Sequence, residues 1–325
     1  MSATITDPTS RTEPWPGRFR RLRTTAYGTE RSANLHARFT PGPQDTTPLF
    51  HVHGLGGAAT NWTELSTALQ EHAPSIAIDL PGWGESDPAP DGDYSIAAAS
   101  RWTIAAIEAF AGRPVHLVGN SMGGLVSIRV AAQRPDLVET LSLVSPAVPG
   151  LDAPTDSDPR MALLAVPFLG NRLQHRFGTD AMARARMSAE ICFAHPEAIP
   201  DERLAQQAQE VAVRMGYPWA NAAFSGSLRS LVAVHLHRRK DHPWRLAAAV
   251  DVPTAIIWGD KDRLVPVRRA PKLAATIAGA TLHVLEEVGH TPQLEAPAET
   301  AEIVLDLLRS GSAARTEPLS SIEAA

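Results

Sequence analysis

One cysteine in 325 residues, Cys192, leaves nothing to form an intramolecular disulfide and suits a reducing compartment. No uninterrupted apolar run approaches the ~20 residues of a membrane-spanning helix, so no integral membrane segment is expected. Met1 to Pro16 is polar and rich in Pro and Thr, and it lacks the apolar centre of a signal peptide. An excess of basic charge is also missing. Thirty Lys and Arg against 35 Asp and Glu give a net charge of −5, which argues against a nucleic-acid partner. A soluble, cytoplasmic protein is the simplest expectation. There is no internal repeat, and the composition does not speak to oligomeric state. What remains is ordinary globular material, 44% hydrophobic and 20% charged. A domain of ~300 residues buries about three-quarters of its unfolded surface, so a sizeable core needs no staples.

Arg23 to Tyr27 and Ala33 to Phe39 carry partly alternating patterns around a turn, as in an antiparallel hairpin. From there strand-like and helix-like segments alternate. Leu49 to His53, Ser75 to Asp79, Val115 to Val118 and Leu141 to Val144 read as strands; Asn61 to Gln70, Tyr94 to Phe110 and Leu125 to Gln133 read as helices. Such alternation implies a mostly parallel sheet with helices on both faces. The rhythm breaks after Pro146. Between Pro149 and about Arg245 there are only helix-like pieces (Met161 to Leu169, Ala181 to Phe193, Arg203 to Met215, Ser227 to His235), punctuated by prolines. The pattern then resumes with a strand at Thr254 to Trp258, a helix near Arg268 to Ile277, a strand at Thr281 to Leu285 and a helix at about Ala298 to Leu308. The expected organisation is a flexible tail over 1–20, a core over 21–148, a helical insertion over 149–248, the rest of the core over 249–310, and a frayed tail over 311–325.

Chemistry concentrates at one turn. Gly119-Asn120-Ser121-Met122-Gly123 lies between the strand ending at Val118 and the helix beginning near Leu125, the setting of a G-x-S-x-G nucleophile elbow. A serine at the tip of a sharp turn is held in a strained conformation that pushes its hydroxyl out of the sheet. Glycines two residues to either side are required because a Cβ there would strike the facing strand and helix. The N–H of Met122 then lies at a helix N-terminus, where it can stabilise an oxyanion. The bland alternative is a Gly-rich strand-to-helix turn.

A serine nucleophile needs a base and a group that orients the base, both at the C-terminal ends of strands. Gly259-Asp260-Lys261-Asp262 follows one strand and offers two carboxylates: Asp260 could cap the turn, while Asp262 can reach back over the sheet. Val288-Gly289-His290-Thr291-Pro292 follows the last strand and supplies a histidine. The order Ser, Asp, His is the one the elbow motif requires.

Together these stretches resemble the α/β-hydrolase superfamily, over about residues 25–308. The likeness rests on His53-Gly54 before further glycines, Asp79-Leu80-Pro81-Gly82-Trp83-Gly84-Glu85-Ser86, the elbow, Trp258 to Pro266, and Gly289-His290-Thr291-Pro292-Gln293-Leu294-Glu295. The resemblance implies an eight-stranded α/β-hydrolase fold with the insertion as a helical lid. It implies a triad of Ser121, His290 and Asp262, selecting Asp262 over Asp260 by its place three residues past the glycine. It also implies an oxyanion hole from the N–H groups of Leu55 and Met122. His53 is expected to shape that loop without acting as the base, and Asp79, Ser86 and Glu295 to shape turns. The implied activity is hydrolysis of small-molecule carboxylic esters through an acyl-enzyme, as a carboxylesterase, with no metal and no organic cofactor.

Other readings stand beside it. Gly54 to Ala59 satisfies a dinucleotide fingerprint, with Asp79 ending the next strand, but that reading leaves Ser121, Asp262 and His290 unexplained. An inactive binding relative has no need of all three groups. Val-Gly-Asn-Ser-Met-Gly-Gly also resembles serine hydrolases that cleave carbon–carbon bonds of ring-cleavage dienoates, many of which carry tryptophan where this chain has Thr291. Perhydrolase or acyltransferase chemistry could use the same acyl-enzyme. His51, His116 and His283 read as packed or edge side chains, His235, His237 and His242 as part of a solvated basic loop, and Cys192 as packing. The cluster Arg18, Arg20, Arg21 and Arg23 reads as a solvated strand edge or tail. Asn120 carries two readings, substrate choice or packing beneath the elbow.

Overall fold

The computed structural model describes residues 11–150, 180–236 and 241–316. Eight strands form one sheet: β1 (Gly17–Ala26), β2 (Thr29–Thr40), β3 (Leu49–Val52), β4 (Ser75–Ile78), β5 (Val115–Asn120), β6 (Val138–Val144), β7 (Thr254–Gly259) and β8 (Thr281–Leu285). Their order across the sheet is β1-β2-β4-β3-β5-β6-β7-β8. β1 and β2 are antiparallel and pack beside β4; the six from β4 to β8, β3 included, run parallel. The expected α/β-hydrolase fold, a mostly parallel eight-stranded sheet with helices, is present. The chain moves from β3 to β4 on one side and returns to β5 on the other. β3 and β5 are therefore adjacent strands at a topological switch point, where the ends of an open parallel sheet diverge and leave a crevice.

Helices α1 (Thr63–Leu69), α2 (Ile96–Ala106) and α3 (Met122–Gln133) belong to the first part of the core. The insertion contributes α4 (Ala181–Cys192), α5 (Asp201–Met215) and α6 (Ala220–Leu236), and a short α7 (Pro243–Ala247), not anticipated from sequence, leads back to the sheet. α8 (Ala270–Thr276), a single turn α9 (Pro292–Glu295) and α10 (Pro297–Thr316) complete the chain. Alternation along the central strands divides the core. Leu117, Leu141, Leu143 and Ile256 pack into the cluster that includes α2 and α3, whereas Val118, Val144 and Ile257 face α1 and α10. Every residue of β5 is buried, as a central parallel strand requires.

Several boundaries differ from expectation. β1 starts at Gly17, inside the stretch read as a tail, and α10 continues to Thr316, past the expected end of order. α3 starts at Met122, directly after the serine, because the elbow turns straight into the helix. The helix expected at Met161 to Leu169 and the basic residues His237 to Lys240 lie outside the described residues.

The arginine cluster lies along the edge strand β1. Arg18 stacks on Phe39 with its guanidinium 3.9 Å from the ring centre, and Arg21 donates to Ser32 Oγ at 2.9 Å. Charged residues on an unpaired edge oppose strand addition by other chains. The hairpin turns at Tyr27-Gly28, with φ of 50° and 74°. Tyr27 is 98% exposed and gains no packing for that strained geometry. Asparagine tolerates the left-handed region better. Tyr27→Asn is therefore expected to raise stability by about 0.5–1 kcal/mol, read as a higher urea midpoint at unchanged slope. An unchanged or lower midpoint refutes this account of the turn.

Candidate active site

The switch point places two loops side by side. Ser121 directly follows β5 with φ 54° and ψ −115°, a conformation rare for a residue with a side chain. Its N–H donates to the Val144 carbonyl at 3.0 Å, and its own carbonyl accepts from Gly124 and Ala147, both at 3.0 Å. The flanking glycines are obligatory for packing. A Cβ on Gly123 would lie 2.1 Å from the Val52 carbonyl oxygen, and one on Gly119 2.4 Å from Ser127 Oγ and 2.5 Å from the Gly123 carbonyl oxygen.

Opposite the serine runs the loop after β3. A Cβ on Gly54 would meet Ser121 Cβ at 3.1 Å, so glycine lets the two loops touch. His53 holds this loop. Its Nε2 accepts the Leu80 N–H at 3.1 Å, which puts the proton on Nδ1, where it is donated to the Gly54 carbonyl at 2.8 Å. Burial lowers the His53 pKa and keeps the ring neutral. Asp79 accepts from the Ala59 N–H (2.6 Å), the Glu85 N–H (3.1 Å) and His36 Nδ1 (2.8 Å). Its burial alone would raise its pKa, but His36 and the Ala59 N–H outweigh that and lower it. Asp79 is buried at 2% exposure and held by three protein donors, which closes it to a ribose, and the dinucleotide reading fails. Among the described residues, neither the Leu55 N–H nor the Met122 N–H has a hydrogen-bond acceptor.

His290 Nδ1 lies 2.8 Å from Asp262 Oδ2. Asp262 is oriented by its other oxygen, which accepts the N–H groups of Leu264 (2.8 Å) and Val265 (2.9 Å). Asp260 instead turns to Lys261, whose Nζ is 2.5 Å from Asp260 Oδ2 and 2.6 Å from Glu287 Oε1. The His290 ring and the Asp262 carboxyl group are both buried, their side chains 4% and 0% exposed. No hydrogen bond joins Ser121 Oγ to His290 Nε2 among the described residues; in unliganded sites such bonds are often long and tighten when substrate arrives. The two halves are joined by Asn120. Its Nδ2 donates to the His290 carbonyl at 3.1 Å and to the Val144 carbonyl at 3.2 Å, which assigns this residue a bridging position beneath the elbow.

Sequence reasoning did not foresee how the insertion joins this assembly. On α5, Arg214 donates to the Gly56 carbonyl in the loop after β3, and its guanidinium carbon lies 5.9 Å from the Trp83 ring centre. Burial lowers the Arg214 pKa. Arg203 on the same helix pairs with Glu64 of α1 at 2.8 Å, both side chains under one-tenth exposed. At the end of α4, the Cys192 carbonyl accepts the His290 N–H at 2.6 Å. Burial pushes the Cys192 thiol up to about 12, which removes it as a nucleophile. His51 stacks on Trp62 at 4.9 Å and is driven down to about 3 by burial, and His116 pairs with Thr140 Oγ1 at 3.0 Å. His242 caps α7 through the Trp244 N–H. None of these three lies among the site residues.

A family described as the alpha/beta hydrolase fold matches residues 47–297. The chain belongs to the α/β-hydrolase family. It is 27% identical over 276 residues to a 2-hydroxymuconate semialdehyde hydrolase from Pseudomonas sp. (strain CF600), covering 82% of this chain and 88% of that one. It is 27% identical over 286 residues to a monoacylglycerol lipase from Homo sapiens, covering 84% and 78%. A thermophilic esterase from Thermogutta terrifontis superposes with a TM-score of 0.70 at 21% identity, over 90% of this chain and 99% of that one. No helix among the described residues is long and apolar enough to cross a membrane.

The packing at the elbow yields a direct test. The atoms a Cβ on Gly123 would strike, the carbonyl oxygens of Val52 and His53, are backbone and cannot swing aside. Gly123→Ala is expected to cost more than about 2 kcal/mol in urea unfolding, with the protein recovered in low yield. A variant as stable as the parent refutes the close-packed elbow.

Proposed function

We propose that this α/β-hydrolase is a serine hydrolase of carboxylic esters. The observation that carries the reading is the buried bond of 2.8 Å from His290 Nδ1 to Asp262, made on a loop that Asn120 ties to the strained Ser121 turn. Ser121 Oγ attacks the acyl carbon while His290 Nε2 takes its proton. The bond to Asp262 fixes the tautomer that leaves Nε2 free and stabilises the cation that forms. The N–H groups of Leu55 and Met122, unpaired among the described residues, receive the developing oxyanion, each such donor contributing about 3–4 kcal/mol to transition-state stabilisation. His290 then protonates the departing alcohol, and a water molecule, activated the same way, releases the acid. These steps draw on no metal and no organic cofactor. The insertion acts as the lid, since α5 reaches the loop after β3 through Arg214.

Similarity to the semialdehyde hydrolase supports a second reading, cleavage of a carbon–carbon bond. Position 291 weighs against it. Thr291 is buried and donates from both its N–H and its hydroxyl to Glu295 Oε1, each at 3.0 Å, and tryptophan there would lack the hydroxyl donor.

Nitrophenyl esters of graded acyl length, assayed beside a ring-fission dienoate, separate the two. Ester turnover is expected to dominate. Ser121→Ala is expected to lower kcat by about 10⁴–10⁶ while leaving the unfolding midpoint within experimental error. Parental ester hydrolysis by Ser121→Ala overturns the assignment, and faster turnover of the dienoate replaces ester with carbon–carbon bond cleavage.

A further inference from the structure

Glu295 is a buried carboxyl group that the proposed chemistry does not use. It ends the single turn α9 with 7% exposure and is surrounded by donors. Its Oε2 accepts the N–H of Gly289 at 2.8 Å and the N–H of Ala194 at 2.7 Å. Its Oε1 accepts the N–H and the hydroxyl of Thr291, both at 3.0 Å. Gly289 and Thr291 flank His290 on either side, while Ala194 belongs to the insertion. One carboxylate thus collects both neighbours of the histidine and a backbone group from the segment covering it.

The contacts around it make the same junction. The His290 N–H itself donates to Cys192, two residues before Ala194, at 2.6 Å. Arg263, next to Asp262, donates to the carbonyls of Glu190 at 2.9 Å and Ala194 at 3.5 Å. The fit is close. A Cβ on Gly289 would lie 2.4 Å from the Cys192 carbonyl oxygen and 2.6 Å from the Ala194 nitrogen. Burial pushes the Glu295 pKa up, and the four donors act in the opposite direction by favouring the ionised form.

We propose that Glu295 is a positioning residue for His290, its carboxylate locking the histidine loop and residues 192–194 of the insertion into one unit that holds the imidazole against Asp262. This rests on the serine hydrolase reading for its kinetic consequence but not for its geometry. Glu295→Gln is the sharp test. Each oxygen accepts at least one fixed backbone N–H, so in either orientation the amide turns its N–H₂ group toward a donor that cannot reverse: the N–H groups of Gly289 and Ala194 at one oxygen, or the Thr291 N–H at the other, where only the Thr291 hydroxyl can turn to accept. The isostere keeps size and packing.

The expected result is a fall in kcat of at least about tenfold on a nitrophenyl ester, with KM within about twofold. Glu295→Asp should recover part of it. A second readout is independent of turnover: the Nδ1–H resonance of His290 in protein labelled with ¹⁵N-histidine, assigned by its loss in His290→Gln. It is expected to move or broaden in Glu295→Gln. An unchanged resonance, or an unchanged kcat in an active enzyme, overturns the proposal. If the parent protein turns over no ester, the serine hydrolase reading falls while the resonance still decides this inference. Should Glu295→Gln fail to fold, Thr291→Val decides by the same readouts. It removes one donor, leaves the carboxylate in place, and is expected to lower kcat several-fold with the resonance displaced; both unchanged overturn the proposal.

Discussion

A residue with a side chain held at a φ of 54° costs roughly 1–2 kcal/mol relative to the right-handed regions, and Ser121 is held there from every side. The Val144 carbonyl accepts its N–H, its own carbonyl accepts the N–H groups of Gly124 and Ala147, and the carbonyls of Val52 and His53, at the end of β3 and just after it, leave no room for a Cβ on Gly123. Relief would require β5, α3 and the loop after β3 to separate, which means unmaking the centre of the sheet. The strain is therefore a consequence of the adjacency of β3 and β5. That adjacency also sets the loop after β3 against the elbow, where a Cβ on Gly54 would meet Ser121 Cβ at 3.1 Å.

Around this turn the structure spends its buried polar groups on orienting loops. His53, Asp79, Asp262 and Glu295 each sit under the end of a strand or in the loop after it, and each accepts backbone N–H groups. A buried carboxylate left unpaired is costly, so each such group tolerates only the loop conformation that satisfies it. The insertion is attached by the same means. Arg214 reaches the loop after β3, Arg203 pairs with Glu64, and the Cys192 carbonyl and Ala194 N–H meet the histidine loop. It is bonded to both halves of the site rather than laid over them.

Much of this was legible beforehand where the signal is local. The alternation of strands and helices, the elbow between β5 and α3 and the order of serine, acid and histidine are patterns of a few neighbouring residues governed by period and turn chemistry. Boundaries were less legible. At Tyr27-Gly28 the strands pair right up to the turn because a left-handed pair lets ladder bonds start immediately, from Ala26 opposite Thr29. α7 was missed because its five residues are too few to show a period. Asn120 could not be read because its two acceptors, at His290 and Val144, belong to segments remote in sequence. Glu295 was legible as a turn residue, but not its bond to Ala194, since nothing near 194 marks it as a partner.

The sequence by itself determined that a serine would stand on a sharp strand-to-helix turn, because glycines at 119 and 123 and the apolar run before them permit little else there. It also placed two carboxylates and a histidine on later strand ends. The family resemblance pointed to Asp262 over Asp260, and only the tertiary structure supplies the physical reason that this carboxylate meets the histidine. The N–H groups of Leu264 and Val265 hold Asp262 with its second oxygen toward His290, while Lys261 draws Asp260 outward. It decided too that the insertion is bonded to the histidine loop. The reason is physical: turn geometry is set by sterics between near neighbours, whereas a hydrogen bond across the sheet exists only once strand register and packing have brought its two ends within about 3 Å.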